Sequence, residues 1–389
     1  MSYISVIFFY SLIILLIYFN RKKFEFQGKI IAMYRTKIGI KWMDRLAKLS
    51  PRFWKVFGFF AIITGYLGLI FISAILLKGT WDLLFVAGAP ASITPVLPGV
   101  RIPGGIYIPL WSGILSIFIV ASVHEFAHGI MARVYDLKVK SSGIFFLGPI
   151  IGAFVEPDEK KLFKSKKYTQ LSVLAAGPFS NICLAIIVAL FLFFLLIPGT
   201  VAMFNATGVE IGSVTSNFPA EESGLQGGEV IITIDGVKVT DIVNFTKKLN
   251  VKSPGDSVIL GTESQDYTIK LIENPKNASS AYMGVTLNQK WDVKKNIAQK
   301  VGNTIPWFMF TIIKFLNILI TLSLGIGFAN LLPLGPVDGG RMLQVSLRKF
   351  FNNTKADFYW TKISLITFVI LLFNLFFPIF RNIGRAFVF

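Results

Sequence analysis

The stretch "ASVHEFAHGI", residues 121–130, places two histidines and a glutamate at the end of a long apolar run. No charged residue occurs between Ile102 and Val123, and the only two histidines of the chain are His124 and His128. Ionisable side chains inside an apolar span are costly, so they are functional by default. The chain therefore keeps these residues for a chemical reason, which the surrounding sequence helps to identify.

Similar apolar runs recur along the 389 residues and indicate a membrane protein. Hydrophobic residues make up 53% of the chain, whereas only 15% of the residues are charged. An α-helix needs about 20 apolar residues to cross the hydrocarbon core of a bilayer. The sequence predicts a polytopic α-helical membrane protein with about six transmembrane helices, at residues 3–19, 56–77, 108–132, 170–197, 304–330 and 363–380.

The net charge of +18 is concentrated in three segments that alternate with nearly neutral ones. Residues 20–55 carry eleven Lys or Arg and two acidic residues, residues 133–167 carry eight and four, and residues 341–362 carry five and one. This is the positive-inside pattern, and it predicts a cell-membrane protein with these segments in the cytoplasm and its N-terminus outside. A nucleic-acid partner is not expected, because no basic stretch on a soluble domain has interleaved aromatic residues.

Residues 203–303 have a different composition, with ten basic and eleven acidic residues and many turn residues. "GEVIITIDGVKVT" (228–240) alternates apolar and polar residues around an Asp-Gly pair, which predicts a β-hairpin. "DIVNFTKKLN" (241–250) has apolar residues at helical spacing, and "DSVILGT" and "DYTIKLI" predict two more strands. The pattern indicates an inserted α+β soluble domain, followed at 289–303 by an amphipathic linker.

The order "AEESGLQGGEVIITIDGVKVTDIVNF" resembles a PDZ domain of the circularly permuted type found in bacterial proteases. The resemblance covers about residues 205–288 and implies a PDZ-like domain with a groove that binds an extended peptide as an added strand. A small β-rich domain without a peptide ligand is the alternative. The charge pattern predicts that this domain is extracytoplasmic.

The pattern His-Glu-x-x-His on a helix places two imidazoles one turn apart on one face, beside the glutamate. Neutral imidazole nitrogens suit Zn²⁺, and a catalytic zinc site needs a further protein ligand and an open position. The segment after the motif offers Asp136 and Glu156, and "FANLLPLGPVDGGRMLQ" (328–344) offers Asp338. An ordinary Asp-Gly turn in a cytoplasmic loop is the alternative for Asp338.

Depth in the membrane favours Asp338 as the third ligand. His124 is predicted about 13 Å inside the cytoplasmic end of its helix, at about 1.5 Å per residue. The fifth span breaks at residues 330–338 on the same side, and "AAGPFSN" (175–181) lies about 12–18 Å deep in the fourth. Broken helices are tolerated at this depth only where the backbone is buried in protein or lines a cavity. A site is therefore expected where the three stretches meet.

The motifs "HEFAHG", "AAGPFSN" and "NLLPLGPVDGG" resemble, in this order, those of the site-2 protease family of intramembrane zinc metalloproteases. With the PDZ-like insert, the resemblance covers about residues 105–380. The family's usual Leu before the aspartate is Val337 here. The segment "VKSSGIFFLGPIIGAFVE" (139–156) resembles the family's membrane-re-entrant hairpin, with a plain cytoplasmic loop as the alternative.

The resemblance implies a role for each residue that matches a family motif. It implies zinc ligands at His124, His128 and Asp338, a general base at Glu125, and an oxyanion donor near the cleaved peptide at Asn330. It also implies that Gly177, Pro178 and Asn181 line the catalytic core and contact substrate.

These expectations define a zinc-dependent intramembrane endopeptidase that cleaves within or next to transmembrane helices of membrane proteins, as in regulated intramembrane proteolysis. Its predicted parts are two N-terminal helices with a basic loop (1–80), two halves of the protease core (105–200 and 300–380) and the PDZ-like domain (205–288). Two other functions remain open. One is a non-catalytic membrane scaffold, which predicts a degraded metal motif, and the other is a zinc transporter, which predicts polar residues along a pathway.

Overall fold

The computed structural model describes residues 3–27, 31–86, 89–100, 106–147, 150–275 and 277–386. The chain forms two compact units. The first unit comprises residues 1–192 and 314–389, and the second comprises residues 193–313. The second unit contains the domain that the sequence predicts as an insert.

The helices and strands of the first unit are α1 (Tyr3–Phe19), β1 (Glu25–Gln27), β2 (Ile31–Thr36), α2 (Ile40–Leu49), α3 (Pro51–Phe85), α4 (Leu110–Val134), β3 (Val139–Leu147), β4 (Ile150–Pro157), α5 (Glu159–Lys164) and α6 (Lys167–Phe191). Those of the second unit are α7 (Ile197–Val201), β5 (Phe204–Val214), α8 (Pro219–Glu222), β6 (Val230–Ile234), β7 (Val237–Lys238), α9 (Ile242–Leu249), β8 (Ser257–Thr262), β9 (Asp266–Lys270), β10 (Ile272–Asn274), β11 (Asn277–Tyr282), β12 (Val285–Val293) and α10 (Lys295–Val301). The chain then continues through α11 (Thr304–Ala329), α12 (Asp338–Phe350) and α13 (Asn353–Ala386).

Five helices of the described chain are long and apolar enough to cross a membrane, beginning at Pro51, Leu110, Lys167, Thr304 and Asn353. The helix α1 is apolar but shorter. Large apolar side chains such as Phe59, Leu67 and Leu365 remain exposed on these helices. Exposure of that kind suits contact with lipid, so the predicted polytopic α-helical membrane fold is confirmed.

The helix α3 is longer than the apolar run at 56–77 suggests. It continues to Phe85, eight residues beyond the predicted span. An ion pair one helical turn apart, between Lys78 and Asp82, supports this extension. The hydrophobic pattern misses the last two turns because it records only apolar residues.

A four-stranded antiparallel sheet joins two distant parts of the first unit. Its strand order is β1-β2-β3-β4, and Ala32 of β2 is paired with Phe146 of β3. The strands β3 and β4 form a hairpin in the segment that resembles the re-entrant hairpin, while β1 and β2 lie in the region predicted only as a basic loop. The N-terminal region therefore contributes half of the strands that border the core.

The inserted unit is a PDZ-like α+β domain. Its main sheet has the order β12-β5-β6-β8-β9, with β7 paired to β6. The predicted hairpin turns at Asp235 and Gly236, whose φ angles of 50° and 74° fit the turn that Asp-Gly favours. Phe245 of α9 is fully buried in the domain core. The strand β12 extends to Val293, so residues 289–293, predicted as part of a linker, belong to the sheet.

Candidate metal centre

Three side chains from two distant parts of the first unit converge on one point. The Nε2 atoms of His124 and His128 are 3.1 Å apart, and Oδ2 of Asp338 lies 3.0 Å from the first and 3.3 Å from the second. Both histidines are buried, and the Asp338 side chain is 12% exposed. The structure thus brings together the three residues predicted as ligands, across 214 residues of chain.

The ligand set fits zinc. Two atoms bound at about 2.0–2.1 Å to one tetrahedral ion lie about 3.3 Å apart, close to the separations observed here. Two imidazole nitrogens and one carboxylate oxygen also match the three protein ligands of many catalytic zinc sites, which keep a fourth position open. The residues therefore fit the metal that the sequence implies.

A hydrogen bond at one ring nitrogen of His128 determines that the other nitrogen can bind a metal. Its Nδ1 lies 2.7 Å from the carbonyl oxygen of Val173 on α6. A carbonyl only accepts, so Nδ1 carries the hydrogen and the lone pair of Nε2 is left for a metal. Sequence reasoning missed this contact, because the partner is a backbone atom.

Asn181 contacts the corresponding ring nitrogen of His124. The side chain is fully buried, with Nδ2 located 3.2 Å from Nδ1 of His124. The buried Oδ1 has no hydrogen-bond partner among the described residues. A half-turn of the amide places Oδ1 where it accepts the Nδ1–H, which leaves Nε2 of His124 available to a metal.

The helix α6 can approach the histidines only because residue 177 is glycine. A Cβ atom there would lie 2.6 Å from Nε2 of His124 and would also overlap the ring of His128. Gly327 of α11 packs against Asn181 of α6, and Ser323 donates a hydrogen bond of 2.7 Å to the Asn181 carbonyl. Small residues on both helices therefore hold α6 against the ligands.

The position of Asp338 depends on the break between α11 and α12. Asp338 is the first residue of α12, after the irregular segment 330–337. The Gly339 N–H donates to the carbonyl of Asn330 at 2.7 Å, and a Cβ at Gly339 would collide with the backbone of Leu331. The Asp-Gly pair thus anchors the start of α12 tightly on the end of α11.

Glu125 lies beside the ligands and is held by the sheet. Its Oε2 accepts a hydrogen bond of 2.9 Å from the backbone N–H of Val155, on β4. The strand β4 is at the end of the strand order, so this N–H points away from β3. Sequence reasoning missed Val155, because nothing in its side chain signals a backbone contact.

An open cleft of about 520 Å³ gives access to the site. Asn330 lines this cleft with Glu125 and the three ligands, but its amide donates to the carbonyl of Ile326. At the same cleft, Glu156 pairs with Arg35 of β2. Ser141 donates a hydrogen bond to Glu156, and Arg35 pairs with the same carboxylate. Both lower the pKa of Glu156 below its usual value, and the hydrogen bond from Ser141 has the larger effect.

The remaining predicted site residues lie behind the cleft rather than along it. Gly177 and Asn181 contact the imidazoles, and Pro178 is buried inside α6. The cleft lining contains none of these three among the described residues, so their geometry favours positioning of the ligands over contact with substrate. Glu156, an alternative third ligand, is engaged with Arg35 and Ser141.

Comparisons with known proteins identify the family of this chain. A model described as "Peptidase family M50" matches residues 112–374. An uncharacterized protein of Methanocaldococcus jannaschii is 31% identical over 328 residues, which cover 80% of this chain and 76% of that protein. The chain belongs to peptidase family M50. This is the site-2 protease family suggested by the motifs, and its members are zinc metalloproteases.

Two further proteins are similar to parts of this M50 member. The zinc metalloprotease RasP of Bacillus licheniformis is 24% identical, over 49% of this chain and 53% of its own length. The PDZ domain of the SdrC-like protein from Listeria monocytogenes is 28% identical and covers 21% of this chain and 86% of its own, with a TM-score of 0.19.

The hydrogen bond between Asn181 and His124 can be tested by substitution. We expect Asn181→Ala to weaken zinc binding about 10- to 100-fold, as is typical when the partner of a metal-bound histidine is removed. Asn181→Asp keeps an acceptor for the Nδ1–H and should recover most of the affinity. Zinc affinity is measured by competition with a chelator.

A second buried asparagine provides the matched control. Asn374 is also fully buried, but it contacts Thr80 and Ser92 instead of the histidines. Asn374→Ala should leave the zinc affinity unchanged. Equal losses in Asn181→Ala and Asn374→Ala would contradict a specific role for Asn181.

Proposed function

We propose that this M50 member is a zinc-dependent endopeptidase that hydrolyses peptide bonds within or next to transmembrane helices, as in regulated intramembrane proteolysis. The convergence of two Nε2 atoms and one Oδ2 atom within 3.3 Å supports this proposal most directly. The two histidines are buried on the membrane-spanning helix α4, and Asp338 is the first residue of α12. Its cofactor is zinc, and its partners are the bilayer and transmembrane protein substrates.

Each residue of the site has a proposed part in the reaction. Zinc, when bound, supplies Lewis-acid activation of water and of the substrate carbonyl. His124, His128 and Asp338 hold it, and Glu125 takes the proton from water and passes it to the leaving amine. The amide of Asn330, at the end of α11, turns from Ile326 to stabilise the oxyanion.

The strand that borders the cleft supports a transmembrane helix as the substrate. Peptide bonds in a transmembrane helix are hydrogen-bonded, so the helix must unwind before hydrolysis. The outer edge of β4 presents backbone groups next to Glu125, and an unwound segment can be added there as a strand. Strand addition would hold the extended peptide beside the proposed base.

Neither alternative function has comparable support. A non-catalytic scaffold would not need an intact set of His124, His128, Asp338 and Glu125 around an open cleft. A transporter would need polar groups along a path, whereas both histidines of the chain belong to this one cluster.

Replacement of the proposed base separates chemistry from metal binding. We expect Glu125→Gln to lower cleavage of a model transmembrane peptide by at least about 100-fold, the usual scale for a lost general base. Its zinc content should remain close to that of the wild type, because the ligands are unchanged. Asp338→Ala is the comparison variant and should lose zinc as well as activity. Substantial turnover by Glu125→Gln, or full zinc in Asp338→Ala, would refute the corresponding assignment.

The hydrogen bond from Val155 can be removed without changing Glu125. Val155→Pro deletes the N–H, and proline is tolerated where the N–H of an edge strand points outward. A hydrogen bond to a charged group contributes about 1.5–3 kcal/mol, so kcat should fall about 10- to 100-fold. Zinc content should not change.

Ala153→Pro is the matched control on the same strand. Ala153 lies two residues before Val155, so its N–H points to the same side. Loss of the Ala153 N–H weakens strand pairing with the substrate and so raises KM. Glu125 stays in place, because its hydrogen bond from Val155 is kept. If both proline variants lower kcat equally, the contact between Val155 and Glu125 does not orient the base.

We also propose that the PDZ-like domain is extracytoplasmic and takes a peptide ligand. The concentration of positive charge in residues 20–55, 133–167 and 341–362 supports the orientation. Val243 and Leu49 are exposed, in the domain and in the 20–55 segment respectively. In a Cys183→Ser background, an impermeant maleimide should label Val243→Cys but not Leu49→Cys on intact cells. The reverse labelling would invert the topology.

A further inference from the structure

A second cavity of about 600 Å³ adjoins the metal cleft within the first unit. It lies among α1, α3, the segment 89–100, α4, β4, α11 with the residues that follow it, and α13, and no charged residue lines it within the described chain. Its size is that of a ligand-binding pocket. The metal site described above does not use it.

The position of the cavity relative to the metal ligands can be measured along three elements. On α4, Ile117 lines the cavity two helical turns before His124, a distance of about 10 Å. On β4, Ile151 lines it four residues before Val155, about 13 Å away. On α11, Ala329 lines the cavity, and the next residue, Asn330, lines the metal cleft.

These distances correspond to a short length of extended peptide. A peptide beside β4 rises about 3.3 Å per residue, so 10–13 Å spans three to four residues. We propose that this cavity is a substrate subsite, which accepts the large apolar side chain carried three or four residues from the cleaved bond. The inference rests on the proposed function, and it adds a determinant of sequence preference to it.

The lining favours an unwound peptide over a lipid chain. The wall includes Ile151 on β4, the strand whose outer edge also holds Glu125. The lining also includes Thr94 and Thr321. The Thr321 hydroxyl donates to the Asn317 carbonyl of its own helix, so its oxygen is left to accept from the backbone N–H of an extended peptide, whereas an acyl chain offers no donor. The shared strand β4, the consecutive residues Ala329 and Asn330 that line the cavity and the cleft respectively, and these polar groups together indicate a peptide.

Gly325 of α11 offers a way to fill the cavity. It lines the cavity, and a Cβ atom there would meet no atom within 4 Å. Gly325→Leu should therefore occupy part of the space without displacing a neighbour. Leu324→Phe is the matched control, since Leu324 is the adjacent residue on α11 and does not line the cavity.

The experiment uses the full-length zinc-loaded protein and a model transmembrane peptide whose cleavage site is located by mass spectrometry. Peptide variants carry Ala, Leu or Phe at the third or fourth residue on either side of that site. We expect the wild type to cleave the Leu and Phe peptides about tenfold faster than the Ala peptide in kcat/KM at one of these positions. Gly325→Leu should abolish that preference by lowering kcat/KM for the Leu and Phe peptides about tenfold, to the value for the Ala peptide, because its side chain occupies the space that the large substrate residue would fill. Leu324→Phe should behave as the wild type.

A binding measurement that does not require turnover accompanies the kinetics. In the Glu125→Gln protein, a photoreactive residue at the preferred position should crosslink to α4 or α11, and Gly325→Leu should reduce the yield about tenfold. Zinc content should be the same in all variants.

Two results would overturn the subsite. One is an unchanged preference in Gly325→Leu, and the other is an equal loss for all peptides together with loss of a copurified lipid, which would make the cavity a lipid site. Failure of the wild type to cleave any peptide would instead refute the proposed function, and crosslinking would still report whether the cavity binds peptide.

Discussion

The convergence of three ligand-bearing side chains inside an apolar helical bundle is the constraint on which the structure of the first unit depends. His124 and His128 come from one turn of α4, but Asp338 comes from the far end of the chain. Their donor atoms must approach within about 3.3 Å to share a tetrahedral ion. Buried charged and polar groups are tolerated only when they are satisfied, so helices that cannot meet this geometry cannot keep these residues.

The neighbouring helices show what this constraint requires. The helix α6 passes so close to the imidazoles that only a glycine fits at position 177, and it supplies Asn181 and the Val173 carbonyl to their outer nitrogens. The helix α11 then packs on α6 through Gly327. Interfaces between membrane helices generally use small residues for such close approach. Here Asn181 and the Val173 carbonyl also determine which nitrogen of each imidazole is left for a metal.

The four-stranded sheet provides the strand edge that borders the metal cleft. The edge strand β4 lies next to the proposed base, where the proposed substrate can pair with its free backbone groups as an added strand. Two of its four strands come from residues 25–36, more than 100 residues from β3 in sequence. The sequence predicted this region only as a basic loop, because short strands paired over such distances leave little local periodicity. The N-terminal region is therefore part of the architecture of the cleft.

The sequence by itself determined the membrane-spanning character, the inserted PDZ-like domain and the family, because hydrophobic runs, turn residues and spaced motifs are local signals. It also singled out His124, Glu125, His128 and Asp338, since ionisable residues stand out in apolar surroundings. Only the tertiary structure decided which ring nitrogens are free, that a backbone N–H of β4 holds Glu125, and that a second cavity adjoins the cleft. Backbone contacts and empty space depend on how distant segments pack, and side-chain identity does not record them.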